Sequence, residues 1–335
     1  MEKLKNPDYH CLPFEKIKKK VKVRKKACTN NEFGCIPEKR PLDVMIDYGI
    51  VNIDKPKGPT SHQVSAYVQK ILGISKSGHS GTLDPKVTGV LPVALGNATR
   101  VVQALLISGK EYVGIMHLHR DVPLEKVRQV CEIFTGNIRQ IPPLKSAVKR
   151  QQRTRKVYYL DILEKDGQDI LFKVGCEAGT YIRKLCHDIG QRLIVGAHMA
   201  ELRRTKAGPF TESTLCTLTD LKDSFVYWKE NRDEKLLKSM IMPIETAVSH
   251  LSQVWVNDRA VDSICHGANL SLPGICKVNE NIRKDEMVAV MTLKDELVCL
   301  GIAVKNSEEM MGEKGLGVKT DKVFMTPGTY PKYKP

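Results

Sequence analysis

Apolar positions along the chain follow two different rhythms, and the change from one to the other divides it. From Pro41 onward, strand-like and helix-like periods alternate. "GIVNIDKPKGPTS" reads as a short strand, Gly49–Asp54, followed by a Pro- and Gly-rich turn. "SHQVSAYVQKILG" places Val64, Val68 and Ile71 on one helical face, with Ser61 as the expected N-cap and Gly73 as the stop. The apolar run "GVLPVALG" comes next, then a second helical period carrying Val101, Val102, Leu105 and Leu106. "KEYVGIMHLH" (110–119) alternates as a strand does, and "PLEKVRQVCEIFTG" reads as a helix that Gly136 ends. "VYYLDILEKDGQDILFKVGC" predicts a hairpin turning at Asp166-Gly167. "GTYIRKLCHDIGQRL" predicts a helix capped by Thr180, with Ile182, Leu185, Cys186 and Ile189 facing inward and Arg183 beside that stripe. "HMAELRRTKAGPF" is a strand and a turn.

This mixed order, with hairpins, predicts an α+β fold built on a mixed, largely antiparallel sheet, not a doubly wound parallel one. Near residue 247 the rhythm changes. Short strands separated by Gly, Pro and Asn dominate to the end, which predicts a small all-β barrel. Three regions follow: a basic N-terminal extension over 1–44, a main domain over 45–246 and the barrel over 247–335. In the extension, "KIKKKVKVRKK" (16–26) has eight cations in eleven residues. That run is either a solvated tail or an edge strand added to another domain, in this case the C-terminal one, with its lysines facing solvent or RNA.

Charge narrows the class of partner. The chain has 335 residues, 41% of them hydrophobic, and a formal net charge of +15. That is enough apolar residue for a packed core, and the positive surplus favours a polyanion, because each cation placed on a phosphate releases counterions. No apolar run reaches the ~18–20 residues of a membrane span and no secretory leader is visible, so a cytoplasmic location is expected. Of the ten cysteines none forms a C-x-x-C pair; Cys131, Cys186 and Cys299 lie in apolar segments, and free thiols in a reducing compartment are expected.

The least ordinary segment is "GHSGTLDPKVTGVLPVALGNATR" (78–100), in which one carboxylate, Asp84, sits in a Gly- and Pro-punctuated turn. A metal site would want more ligands than His79 and His62 nearby, and a two-carboxylate hydrolase would want a second acid in a comparable turn. Alone, Asp84 reads by default as a turn former. A second unusual segment, "IPPLKSAVKRQQRTRK" (141–156), has six cations and no acid and reads as a basic loop. His117 and His119 alternate on one strand at a spacing seen in metal sites, but the sequence offers no evident third ligand.

Four segments in this order and spacing, "NIDKPKGPTSHQV" (52–64), the Asp84 stretch, "KEYVG" (110–114) and "GTYIRKLCHDIG" (179–190), resemble the motifs of the TruB family of pseudouridine synthases. The C-terminal "VWVNDRAVDSICHGANLSLPGI", with "GIAVK" and "MTPGTYPK", resembles a PUA domain, an RNA-binding barrel. The whole resembles the archaeal, dyskerin-like members of the family, catalytic subunits of box H/ACA guide-RNA particles.

The resemblance implies guide-directed isomerisation of uridine to pseudouridine in ribosomal RNA, without a cofactor or a catalytic metal. The alternatives are a stand-alone synthase acting on the tRNA TΨC arm and a catalytically silent RNA-binding scaffold. By the same resemblance Asp84 is the catalytic carboxylate, Tyr112 stacks on the target base, and Arg183 pairs with Asp84 as a fork in a water-poor pocket. His79 contacts the extruded nucleotide, His62 and Lys55 give structural support with a phosphate contact, and Tyr181 and Leu202 wall the pocket. The basic loop, with Lys145, Lys149, Arg150, Arg153 and Arg155, corresponds to a thumb that closes over substrate RNA. His266 and Gly267 begin the segment expected at the guide RNA. Implied partners are guide and substrate RNA, a zinc-ribbon protein, a Gar-type barrel protein and a kink-turn-binding protein. The chain ends at "YPKYKP" without a lysine-rich tail, which favours an archaeal source.

Overall fold

The computed structural model describes residues 11–141 and 151–332. Two sheets organise them. Along the first, neighbouring strands run in the order Ile241–Pro243, Gly49–Lys55, Thr88–Leu95, Ala197–Ala207, Lys110–Leu118, Asp169–Cys176, Arg153–Asp166 and Gly136–Gln140. Ser77–His79 pairs beside Thr88–Leu95, and Phe210–Thr211 beside Ala197–Ala207. Every pairing is antiparallel except one short parallel contact, Thr88–Gly89 against Arg203–Arg204. The expected α+β class and largely antiparallel sheet are therefore what the chain adopts.

Helices cover this sheet where the helical periods place them. Leu124–Ile133 and Ile182–Arg192 bury Val127, Val130, Leu185, Cys186 and Ile189 against Met116, Leu118 and Phe172 of the sheet. Gly190 makes that packing possible, since a Cβ there would stand 2.2 Å from the backbone nitrogen of Ala197. Ser61–Leu72 packs Val64, Val68 and Leu72 on Val51, Ile53, Leu91 and Val93. Its cap is Thr60, not Ser61: the Thr60 hydroxyl accepts from the Gln63 amide while the Gln63 side chain accepts from the Thr60 amide. The second expected helix divides into a 3₁₀ segment, Gly96–Val101, and a short α-helix, Val102–Leu106.

The second sheet has seven strands, in the order Val21–Val23, Ile275–Asn279, Ser252–Val256, Met287–Met291, Leu297–Ala303, Leu316–Val323 and Leu270–Ser271. It also carries a helix that the strand-like rhythm hides, Asp258–Cys265. Asn257 caps this helix, and Val261, Ile264 and Cys265 enter the core. Val21–Val23 lies antiparallel to Ile275–Asn279. The side chains there reverse the expected facing: Val21 and Val23 are exposed, while Lys22 pairs with Glu308 and Arg24 Nε donates to Gly312 O. Backbone pairing and these polar contacts hold the strand, with little apolar burial.

The two sheets share a core. Ile50, Val90, Leu105, Phe210 and Ile244 from the first side pack with Trp255, Ala289, Met291, Leu297 and Phe324 from the second. Glu245 ties the same seam by accepting both Arg40 guanidinium nitrogens at 2.8 Å and the Leu297 amide at 2.9 Å. All ten cysteines are free thiols, seven of them buried, as expected. Among the described residues no helix is long and apolar enough to cross a membrane.

Trp255 is the large side chain of this seam, with Nε1 donating to Asp295 Oδ1 at 2.7 Å. Trp255→Ala is expected to destabilise the whole chain by about 3–5 kcal/mol in urea denaturation. A loss below about 1 kcal/mol would show that the seam contributes little to the fold.

Candidate active site

The Asp84 loop joins strand Ser77–His79 to strand Thr88–Leu95 and is fastened from beneath at nearly every residue. Ser80 is buried, and its amide donates to Pro92 O at 3.1 Å. Leu83 enters the core, with its amide on Ser61 Oγ at 2.8 Å and its carbonyl accepting from the same hydroxyl at 3.2 Å. Ser61, the expected cap, is thus spent on the loop. The Val87 amide donates to Asp84 O at 2.9 Å, and the Gly58 amide to Pro85 O at 2.9 Å.

Two buried cations complete the fastening. Lys55 has no exposed surface, and its ammonium donates to Pro56 O at 2.9 Å, Pro85 O at 3.2 Å and Val87 O at 2.9 Å. Burial pushes its pKa down, partly offset by the Asp84 carboxylate. With all three donors on backbone carbonyls, Lys55 has none to offer a phosphate, which corrects the expectation that it binds substrate. Arg204 is buried too. Its Nε donates to Val90 O at 2.7 Å, its Nη atoms lie 3.4–3.5 Å from Gly81 O, and the Tyr112 hydroxyl is close enough to favour its charged form. Arg204 was not legible as a site residue: in "LRRTK" nothing separates it from Arg203, which instead pairs with Asp54 and Glu212.

Asp84, unlike Ser80, Leu83 and Val87 of the same loop, points outward. Its Oδ2 accepts from Arg183 Nη2 at 2.5 Å. Arg183 is the second residue of helix Ile182–Arg192. Buried Gln140 fixes the start of that helix, accepting from the Tyr181 amide at 3.0 Å and donating to the Tyr181 carbonyl at 3.1 Å. Thr180 does not cap it; the Thr180 hydroxyl donates to Glu177 O at 2.7 Å. Two expectations change here. The pair is joined through one guanidinium nitrogen, not a fork, and its side chains are 58% and 52% exposed, so the site is not water-poor in the unbound chain.

Tyr112 stands near this pair at the edge of the core, its pKa raised mainly by burial. His79 lies below His62, the rings edge to face at 4.7 Å. Both His79 ring nitrogens are buried without a hydrogen-bond partner, and burial lowers its pKa to about 4. It is held as a neutral imidazole. Leu202 is buried in the core opposite Gly114, where it packs the sheet.

The remaining expected residues divide between a strand, the second sheet and the stretch outside the described residues. The basic loop was expected over 141–156, but from Arg153 onward the chain is a strand, with Arg153 opposite Gln140 and Arg155 opposite Ile138. Arg155 also lies 3.8 Å from Glu177. Lys145, Lys149 and Arg150 fall outside the described residues. His266 and Gly267 close helix Asp258–Cys265, on the second sheet's side of the molecule. His266 is exposed and its Nδ1 lies 2.8 Å from Asp262 O; a Cβ at Gly267 would meet nothing within 4 Å.

Comparison with known proteins gives the same outline. Residues 69–125 and 119–182 match the TruB family pseudouridylate synthase N-terminal domain, and 183–249 match the tRNA pseudouridylate synthase B C-terminal domain. Residues 252–324 match the PUA domain and 11–65 the DKCLD (NUC011) domain. The chain is 58% identical to a probable tRNA pseudouridine synthase B of Pyrococcus abyssi, across 96% of this chain and 97% of that protein. It is 57% identical to the protein of the same description from Methanosarcina barkeri, across 96% and 95%. Among solved structures it is similar to a chain of a Cbf5-Nop10-Gar1 complex, at TM-score 0.93 and 55% identity, covering 97% of this chain and 99% of that one. It is also similar to a chain of an H/ACA RNP bound to a substrate RNA containing 2′-deoxyuridine, at TM-score 0.91 and 54% identity, covering 96% and 99%.

His79 and the buried His250 both have pKa values lowered by burial to about 4 from the ordinary 6.5. The unfolded chain therefore takes up these protons first. Stability is complete above about pH 6.5 and falls as pH drops toward about 4. Urea midpoints across this window should show that slope, and His250→Phe should flatten it; an unchanged slope in the variant would rule out the His250 contribution.

Proposed function

This chain belongs to the TruB family of pseudouridylate synthases, and on that premise we propose that it is the catalytic subunit of a guide-RNA-directed particle that converts uridine to pseudouridine in RNA, with Asp84 as its catalytic carboxylate. The observation that carries the proposal is the extent of the match. Nearly the whole chain, extension and C-terminal sheet included, corresponds to chains from a Cbf5-Nop10-Gar1 complex and a substrate-bound H/ACA RNP. The reading divides the chain into an extension over 1–44, a synthase domain over 45–246 and a PUA-type domain over 247–335. Its partners are guide and substrate RNA and Nop10- and Gar1-like proteins; a kink-turn-binding protein and a ribosomal RNA target belong to its finer form. The matching Pyrococcus and Methanosarcina proteins favour an archaeal, cytoplasmic setting.

The chemistry asked of the site is an isomerisation. The N1–C1′ bond of uridine breaks, the base turns, C5 bonds to C1′, and the proton displaced from C5 is balanced by one gained at N1. A carboxylate held at the sugar serves this either by attacking C1′ or by removing a proton beside it. Both routes need it ionised, and the Arg183 guanidinium meets it at 2.5 Å as a charge-assisted partner. The pair is half-exposed here, so bound RNA supplies the remaining walls and excludes water, which strengthens the Asp84–Arg183 attraction when the base is in place. Tyr112 offers an aromatic face to a flipped base. His79, neutral and with both nitrogens buried, would meet the nucleotide through its ring and not through a nitrogen. Arg153 and Arg155, on their strand, continue the basic run toward RNA phosphates.

A second reading, modification of tRNA without a guide, is favoured by the description carried by the Pyrococcus and Methanosarcina relatives. Carbodiimide adduct mapping on a guide-matched RNA and on a tRNA, each with and without guide RNA and partner proteins, separates the two. Guide-dependent product that Asp84→Asn abolishes, with RNA binding retained, is the expected result. Product on tRNA alone would replace the first reading with the second. Equal product from Asp84→Asn would remove Asp84 from the chemistry, and no product from the unaltered chain despite RNA binding would leave a scaffold. Arg183→Lys, which keeps the charge but loses the planar donor set, should lower the single-turnover rate by about 10–100-fold.

A further inference from the structure

Away from Asp84, three imidazoles meet on the exposed side of the first sheet. His117, in strand Lys110–Leu118, and His119, just beyond it, alternate with buried Met116 and Leu118 and so share the outward face. The strand register puts His198 directly opposite His117 on one side and Asp169 opposite it on the other. Positions two apart on one strand, together with those directly across from them, lie on one face of a sheet. Four metal-capable side chains from three adjacent strands therefore stand together, and the third imidazole that the sequence did not show is His198.

Two of their three separations match what a tetrahedral ion imposes, and the third, His117–His119, is longer. Metal–imidazole bonds of about 2.0–2.1 Å at tetrahedral angles put neighbouring ligand nitrogens about 3.3 Å apart and ring centroids about 5.2 Å apart. Here His119 Nε2 and His198 Nδ1 are 3.1 Å apart. The centroid separations are 5.2 Å for His117–His198, 5.4 Å for His119–His198 and 6.5 Å for His117–His119. His117 Nδ1 lies 2.7 Å from Asp169 Oδ1, which leaves His117 Nε2 for a metal and casts Asp169 as the carboxylate that orients a ligating histidine. Gly196 leaves room for the His119 ring, since a Cβ there would stand 2.7 Å from His119 Nδ1. As the side chains stand, no group of three His, Cys, Asp or Glu among the described residues is already in ligating geometry. The His117 ring has to turn toward the other two to complete the set.

We propose that His117 Nε2, His119 Nε2 and His198 Nδ1 bind one divalent transition-metal ion of the Zn²⁺ class, with Asp169 positioning His117 and the fourth coordination position open to water or an external ligand. Three neutral imidazoles suit that ion, and an all-oxygen ion such as Mg²⁺ does not fit the donor set. The bound ion clips the start of strand Ala197–Ala207 to the end of strand Lys110–Leu118. Asp169 extends that tie to the hairpin before strand Asp169–Cys176.

Co²⁺ titration of the purified full-length chain tests this, because four-coordinate Co²⁺ absorbs visible light intensely and six-coordinate Co²⁺ does not. One equivalent of the intense band, displaced by Zn²⁺, is expected. His119→Ala with His198→Ala should abolish it, and Asp169→Asn should weaken Co²⁺ binding by about 10–100-fold. Zn²⁺ should raise the melting temperature of the unaltered chain and not that of the double variant. The double variant should keep the metal-free melting temperature, since both side chains are exposed. Absence of the intense band in the unaltered chain would overturn the proposal, as would a band that survives in a folded double variant.

Discussion

Two buried cations without carboxylates in their hydrogen-bond shells organise this molecule. A charge taken out of water is tolerated only if its hydrogen-bonding capacity is met in place. Lys55 meets it with three backbone carbonyls, two of them, Pro85 and Val87, in the Asp84 loop. Arg204 meets it with Val90 O and longer contacts to Gly81 O. The loop thus cannot move without stranding buried charge, and its fixed backbone presents Asp84 toward Arg183. Asp84 acts in return: its carboxylate favours the charged form of Lys55.

This division of labour explains why the reactive pair is exposed while its supports are not. Arg183 and Asp84 meet through a single contact open to solvent, where an ion pair is worth little by itself. Under the proposed function, its strength as a site would come only when RNA covers it and the local dielectric falls. The apolar seam between the two sheets does the complementary task. Trp255, Phe324 and Leu297 pack against Ile50, Val90 and Phe210, so that the C-terminal sheet and the Asp84 sheet share one core. Under the proposed function, a guide RNA held on one sheet would thereby be registered against chemistry on the other.

The elements were legible where hydrophobic period and turn chemistry agree. The hairpin at Asp166-Gly167, the strand at Lys110 and the helix ending at Gly73 all follow from local sequence. Asp84, Tyr112 and Arg183 were reached through resemblance, and the structure shows Asp84 and Arg183 in contact across 99 residues of sequence. What stayed hidden depends on partners distant in the chain. Arg204 and Arg203 are indistinguishable until strand register buries one and exposes the other's carboxylate partners. Lys55 reads as a phosphate ligand until its donors are seen to be taken. Thr60 competes with Ser61 for the same cap, and only the loop above Ser61 decides between them. His198 is invisible as a companion of His117 until two strands are paired.

The central claim is that Lys55 and Arg204 fix the Asp84 loop. Amide hydrogen exchange over residues 80–88 in Lys55→Met tests it most directly. A hydrogen bond to a charged group is worth about 1.5–3 kcal/mol, so the account predicts exchange faster by about 10–100-fold within the loop, with the rest of the sheet unchanged. Unaltered protection of the loop in a folded Lys55→Met chain would contradict it and would mean that the Ser61 contact and the loop's own turn suffice to hold Asp84 in place.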